Sequence, residues 1–172
     1  MHRNLKYGLP ALAALFAMLT SVDASAQQSR DLNVTATVPE VCVINSPATI
    51  SLDFGTLTPT DAADEETTAN FDYRCSDGTA VTIELDLGGD ANATLAERFM
   101  THTNGTDKLG YLLEKPDSTP WGDTASGTAY TATAQGLGTQ DTVEIRGVIT
   151  AAQKSAAPVG DYSDTVLITL LP

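Results

Sequence analysis

Histidine is almost missing from this sequence: only His2 and His102 occur in 172 residues. His2 falls in what reads as a leader, so a histidine-centred triad or multi-histidine metal site has nothing to draw on beyond His102. Cysteine is as sparse, with Cys42 and Cys75 alone, and no histidine beside either to complete a metal site. Basic residues are few, 9 against 22 acidic ones, for a net charge of −13. Such a surface repels nucleic acid and anionic lipid and keeps an exported protein soluble. No apolar run approaches the roughly 18 residues of a membrane span. There is no sustained helical period, no internal repeat and no linker-like stretch, so the chain reads as one domain.

What is present begins with a leader. His2, Arg3 and Lys6 precede an apolar run from Leu9 to Leu19, and Ala24-Ser25-Ala26 offers the small residues that a signal peptidase reads. Cleavage before Gln27 leaves 146 residues and, by removing Arg3, Lys6 and Asp23, a net charge of −14. An exported chain with two cysteines most simply carries one disulfide. Closing the loop between Cys42 and Cys75 stabilises a fold by about 3–4 kcal/mol in the chain-entropy account.

Strand-like runs fill the remainder. They are "CVI" at 42–44, "TISLDFG" at 49–55, "NFDYRC" at 70–75, "AVTIELDLGG" at 80–89, "KLGYLLEK" at 108–115, "DTVEIRGVIT" at 141–150 and "DYSDTVLITLL" at 161–171. Between them lie segments rich in Gly, Thr, Asp, Asn and Pro, which is turn chemistry. Seven or eight strands predict an all-β, Greek-key sandwich of the immunoglobulin-like type. The cysteine spacing and the loop position of Trp121 differ from those of an antibody domain, so the likeness is one of architecture only.

Two ends of the chain stand out. In "DLNVTATVPEVC", Leu32, Val34, Ala36 and Val38 face one side of an extended strand, and Pro39 suits its end. In the final strand Val166, Ile168 and Leu170 form an apolar face, and nothing after it in the sequence is expected to cover its outer edge. An exposed apolar edge invites pairing with another chain. Should the opening strand of one copy cover the edge of the next, a head-to-tail contact that does not close a ring makes a filament.

Other signals are weaker. Carboxylates in "GTAVTIELD" and "LLEKPD" read as the wet faces of strands, and no nucleophile–base arrangement marks an enzyme. "DAADEE" at 61–66 clusters acids but lacks the spacing of a calcium loop. Trp121, Tyr111 and Tyr130 are candidates for a sugar-binding platform, though an aromatic in such a loop more often packs over a core edge. Asn33, Asn92 and Asn104 begin glycosylation triplets of a kind that arise by chance in a Thr-rich chain.

The ordered set "LDFGTL", "FDYRC", "DGTAVTIELDLGGDAN", "ERFM", "LGYLLEKPDSTPWGD", "IRGVITAAQ" and "PVGDYSDTVLITL" resembles the spore coat protein U domain, the domain of pilins of the archaic chaperone–usher pathway. The resemblance covers essentially the whole chain after the leader. It implies an incomplete immunoglobulin-like sandwich completed by donor-strand complementation, with a signal peptide at 1–26, a donor extension at 27–41 and a pilin domain at 42–172. It implies a disulfide between Cys42 and Cys75, donor residues Leu32, Val34, Ala36 and Val38, and an acceptor edge at Val166, Ile168 and Leu170. It also implies no cofactor. The partners it implies are other pilin subunits, a periplasmic chaperone and an outer-membrane usher, in a cell-surface fibre that supports adhesion and biofilm formation. With the donor starting directly after the leader, a shaft or adaptor subunit is expected rather than a tip adhesin. The alternative is a secreted monomer on a complete sandwich, binding carbohydrate or forming part of a coat matrix.

Overall fold

Alternation of apolar and polar residues becomes two antiparallel sheets in the computed structural model, which describes residues 27–172. The leader expected at 1–26 lies outside the described residues. The chain divides into two units, one ending at Ala36 and one running from Thr37 to Pro172. In the first, residues 27–36 are exposed and form neither strand nor helix. The strand expected at 31–38 is therefore not formed, since a lone strand with one apolar face has no partner for its backbone.

The second unit holds nine strands and one short helix: β1 (Cys42–Ile44), β2 (Glu65–Cys75), β3 (Ala80–Leu85), β4 (Arg98–His102), β5 (Lys108–Glu114), β6 (Tyr130–Thr133), β7 (Asp141–Ile149), α1 (Ala151–Ala156), β8 (Tyr162–Ser163) and β9 (Ile168–Leu171). One sheet has six strands in the order β1-β2-β7-β5-β4-β8, the other three in the order β6-β3-β9. The crossovers that bring β7 beside β2 and β9 beside β3 make this the expected immunoglobulin-like sandwich.

Every second residue of the central strands is buried: Phe71, Tyr73 and Cys75 on β2, Val81, Ile83 and Leu85 on β3, and Leu109, Tyr111 and Leu113 on β5. Cys42 and Cys75 face each other in the β1–β2 register and are disulfide-bonded. Trp121 is fully buried, its indole Nε1–H donating to Ile83 O at 2.9 Å. With Tyr111 buried as well, the sugar platform drawn from these aromatics does not exist: two of its three rings face the core.

Several expectations are corrected. Residues 49–55 form no strand although Ile50, Leu52 and Phe54 still turn towards the core. Gly147, within β7, makes room for two of them, because a Cβ there would collide with Leu52 and Phe54. The run 80–89 stops at Leu85, and Gly88 turns with φ +80°. The run 161–171 splits, since β8 pairs with β4 in the large sheet whereas β9 pairs with β3 in the small one. The strands β4 and β6 were not expected. Nor was α1, although its Thr150-x-x-Gln153 capping box is legible: Gln153 N–H donates to Thr150 Oγ1 and Thr150 N–H to Gln153 Oε1.

Candidate functional site

Between the two sheets, where the 49–55 segment and the last strand fail to meet, a cleft of about 910 Å³ opens to solvent. One wall is the stretch from Ile44 to Phe54, the other Tyr162 to Ile168, and the floor is core: Phe71, Leu85, Tyr111, Leu113 and Ile145. A slot reaching the core of a sandwich is where a further strand belongs.

The backbone along the second wall is unpaired on one side. Among the described residues β3 is the only strand hydrogen-bonded to β9. Thr82, Ile83, Glu84 and Leu85 pair with Leu171, Leu170, Thr169 and Ile168, and beyond them Asp86 N–H donates to Leu167 O at 3.1 Å. Antiparallel pairs alternate between bonded and non-bonded. The bonded pairs are therefore those of Leu167, Thr169 and Leu171, and the N–H and C=O groups of Ile168 and Leu170 point away from β3, along the free edge. Val166 and Ile168 line the cleft, and Leu170 is half-buried against the core beside it.

The end of the cleft away from the disulfide is polar. Asp164 Oδ1 accepts from the N–H groups of Gly89 and Thr165, each at 2.8 Å, and Asp164 Oδ2 from the Tyr111 hydroxyl at 2.5 Å. Asp86 Oδ1 accepts from Gly88 N–H and Leu167 N–H, both at 2.9 Å. A side chain at Gly88 would run into the Asp164 carboxylate, so this turn needs glycine for space as well as for its φ. Behind them Arg98 is wholly buried, donating through Nε to Asp86 O at 3.0 Å and through Nη2 to Trp121 O at 2.7 Å. Burial lowers the affinity of Arg98 for its proton, against the pull of Tyr111, Asp86 and Asp164. Burial first, then the bond to Asp164, pushes the Tyr111 hydroxyl far above the usual tyrosine range. Sequence reasoning missed this cluster. An arginine directly before Phe99 and Met100 in "ERFM" was its one visible signal, and a buried cation requires a partner.

The expected donor residues are exposed. Leu32 is 86% exposed, Val34 80% and Val38 85%, and Ala36 is exposed too. The acids of 61–66 do not converge: Asp61 accepts from Ala63 N–H, Asp64 from Ala151 N–H, Glu66 pairs with Arg146, and Glu65 lies 3.9 Å from Lys154 Nζ. Among the described residues no three His, Cys, Asp or Glu side chains gather as metal ligands. His102 has both ring nitrogens engaged, by Asn104 N–H and by Val159 O. No helix among the described residues is long and apolar enough to cross a membrane.

The pattern of the Spore Coat Protein U domain matches residues 28–169. The chain belongs to that family. No curated protein matches it. Among solved structures, this spore coat protein U domain resembles a chain of the CsuC–CsuE chaperone–tip adhesion subunit pre-assembly complex of the archaic chaperone–usher Csu pili of Acinetobacter baumannii. Identity there is 26% and the TM-score 0.53, over 78% of this chain and 40% of that one. The chain thus spans two fifths of the length of that relative. A subunit of a chaperone–usher pilus studied for rod uncoiling gives 15% identity and a TM-score of 0.54, over 84% and 96% of the two chains. The P pilus rod subunit PapA gives 18% and 0.50, over 76% and 97%. The last two likenesses establish the fold. The proteins that share it are structural subunits and not enzymes.

Proposed function

We propose that this chain is a structural subunit of a chaperone–usher surface pilus, and that the 27–41 extension of one copy, through Leu32–Val38, fills the cleft of the next by donor-strand exchange. The observation that carries the reading is the free edge of β9 over a cleft floored by core residues. Membership of the spore coat protein U domain family and the fold shared with pilus subunits support it.

The donor matches the site in length and pattern. Leu32 to Val38 in extended form covers roughly 23 Å, and its apolar side chains recur every second residue, as do Val166, Ile168 and Leu170 opposite. Burying one leucine, two valines and an alanine contributes on the order of 5–8 kcal/mol before ordering costs. The new backbone hydrogen bonds set register more than affinity. No catalytic group is required. In this reading the subunit travels through the periplasm held by a chaperone, is passed to an outer-membrane usher, and ends in a fibre at the cell surface that supports adhesion and biofilm formation.

The test uses the mature protein beside a version lacking residues 27–38. The mature protein should form filaments by electron microscopy. The shortened one should stay monomeric yet bind a synthetic peptide of residues 27–41. Filaments from the shortened chain, or its failure to bind the peptide while folded, would overturn the reading.

A further inference from the structure

The three residues before the disulfide are tied to the body. Val41 N–H donates to Ser76 Oγ at 3.1 Å, Ser76 N–H donates to Val41 O at 2.9 Å, and the Ser76 hydroxyl donates to Pro39 O at 3.1 Å. Cys42 pairs with Cys75 in the β1–β2 register, so Val41 and Ser76 are the next pair out. Residues 39–41 thus prolong β1 past the end of β2, and a single side chain, half-exposed Ser76, makes two of the three bonds.

The position of this tie limits where the chain's own extension can go. Ser76 leads through a tight turn, closed by Thr79 N–H on Ser76 O, into β3, whose Thr82 pairs with Leu171. The disulfide and the tie therefore lie at the Leu171 end of β9. Val166 is five positions further along, about 17 Å at the usual rise. The stretch from Cys42 back to Val38 reaches at most about 14 Å when fully extended. The chain's own extension accordingly cannot place Val38 beside Val166 and return antiparallel along the edge. The parallel sense, with Val38 at the Leu171 end, lies within reach, but it requires residues 39–41 to fold back off β2 and break all three contacts. A donor from a second copy has no such tether, and the antiparallel pairing open to it is the more stable per residue.

We infer that Ser76 is a positioning residue that keeps the chain's own extension out of its own cleft and leaves the site open for a second copy. The inference rests on the donor-strand reading above. It names what blocks self-capture in the single chain.

The test measures uptake of a labelled synthetic peptide of residues 27–41 by the full mature protein, at concentrations too dilute for assembly. Wild type and Ser76→Thr, which keeps the hydroxyl, should take up peptide at similar rates. Ser76→Ala should be several-fold slower, because its own extension occupies part of the cleft. Adding Val34→Asp to Ser76→Ala, which spoils the extension as a competitor, should restore the wild-type rate. Uptake by Ser76→Ala at the wild-type rate would overturn the inference and leave the donor-strand reading standing. So would slow uptake that Val34→Asp does not restore, since that marks a damaged cleft. No uptake by wild type would overturn both.

Discussion

Asp86 and Leu167 face each other at the end of the β3–β9 ladder, yet the exchange between them is only half backbone. Asp86 N–H donates to Leu167 O at 3.1 Å, while Leu167 N–H donates to the Asp86 carboxylate at 2.9 Å. The side chain stands in for a main-chain acceptor, and it also takes Gly88 N–H. The ladder therefore closes at this point, β3 ends, and the chain on the other side is released towards β8. The same pairing fixes which backbone groups of β9 face the cleft.

Replacing Asp86 removes that acceptor. Asp86→Ala leaves two backbone N–H groups to find water and should cost about 1–2 kcal/mol, read as a lower urea midpoint with an unchanged slope. Asp86→Asn keeps one acceptor oxygen and should lose less. Peptide uptake should slow in the same order, since residues 164–167 form one wall of the cleft.

A head-to-tail contact has two different faces, and each can be disabled alone. Ile168→Lys puts a charge on the wall proposed as acceptor, and Val34→Asp puts one on the segment proposed as donor, where burying it unpaired costs more than about 2 kcal/mol. Each variant alone should remain monomeric. An equal mixture should give one-to-one dimers and nothing longer, because only the Ile168→Lys extension and the Val34→Asp cleft are intact. Sizing by light scattering would read this, and long polymers in the mixture would contradict a two-faced contact.

The disulfide closes a loop of 33 positions between β1 and β2. Replacing Cys42 and Cys75 together by serine should lower stability by about 3–4 kcal/mol, chiefly by freeing the unfolded chain. Denaturant titration of the two proteins measures it. The loop holds the whole 44–54 wall of the cleft, so peptide binding should weaken alongside.

Two core tyrosines set an alkaline limit. Burial first, and then the charge of Asp141, pushes the Tyr73 hydroxyl up to about 12, and Tyr111 is raised further in the same direction. A folded-state value above the unfolded one means a contribution that is complete below the unfolded value, about 10, and is lost as pH climbs through the folded one. Stability should therefore be flat with respect to these groups up to about pH 10 and fall steeply towards pH 12. The tyrosinate absorbance of Tyr73 and Tyr111 should appear only together with unfolding. Tyr111→Phe should remove part of the alkaline loss, together with its bond to Asp164.

Much of this was legible in the residues. The alternation in 70–75, 80–85, 108–114 and 141–149 determined the inward faces of β2, β3, β5 and β7. The two cysteines pointed to the disulfide, and the apolar rows at Leu32–Val38 and Val166–Leu170 marked the segments proposed as donor and acceptor. What period-two alternation cannot encode is which edge of a strand finds a neighbour, because side chains report faces and backbone groups make edges. Only the tertiary structure decided that residues 49–55 keep their inward face without joining a sheet, and that the last run changes sheets between Ser163 and Ile168. It alone brought Arg98, Asp86, Asp164 and Tyr111 from four segments to one end of the cleft and buried Trp121 where a loop had been expected. Each of these depends on groups distant in the chain meeting in space.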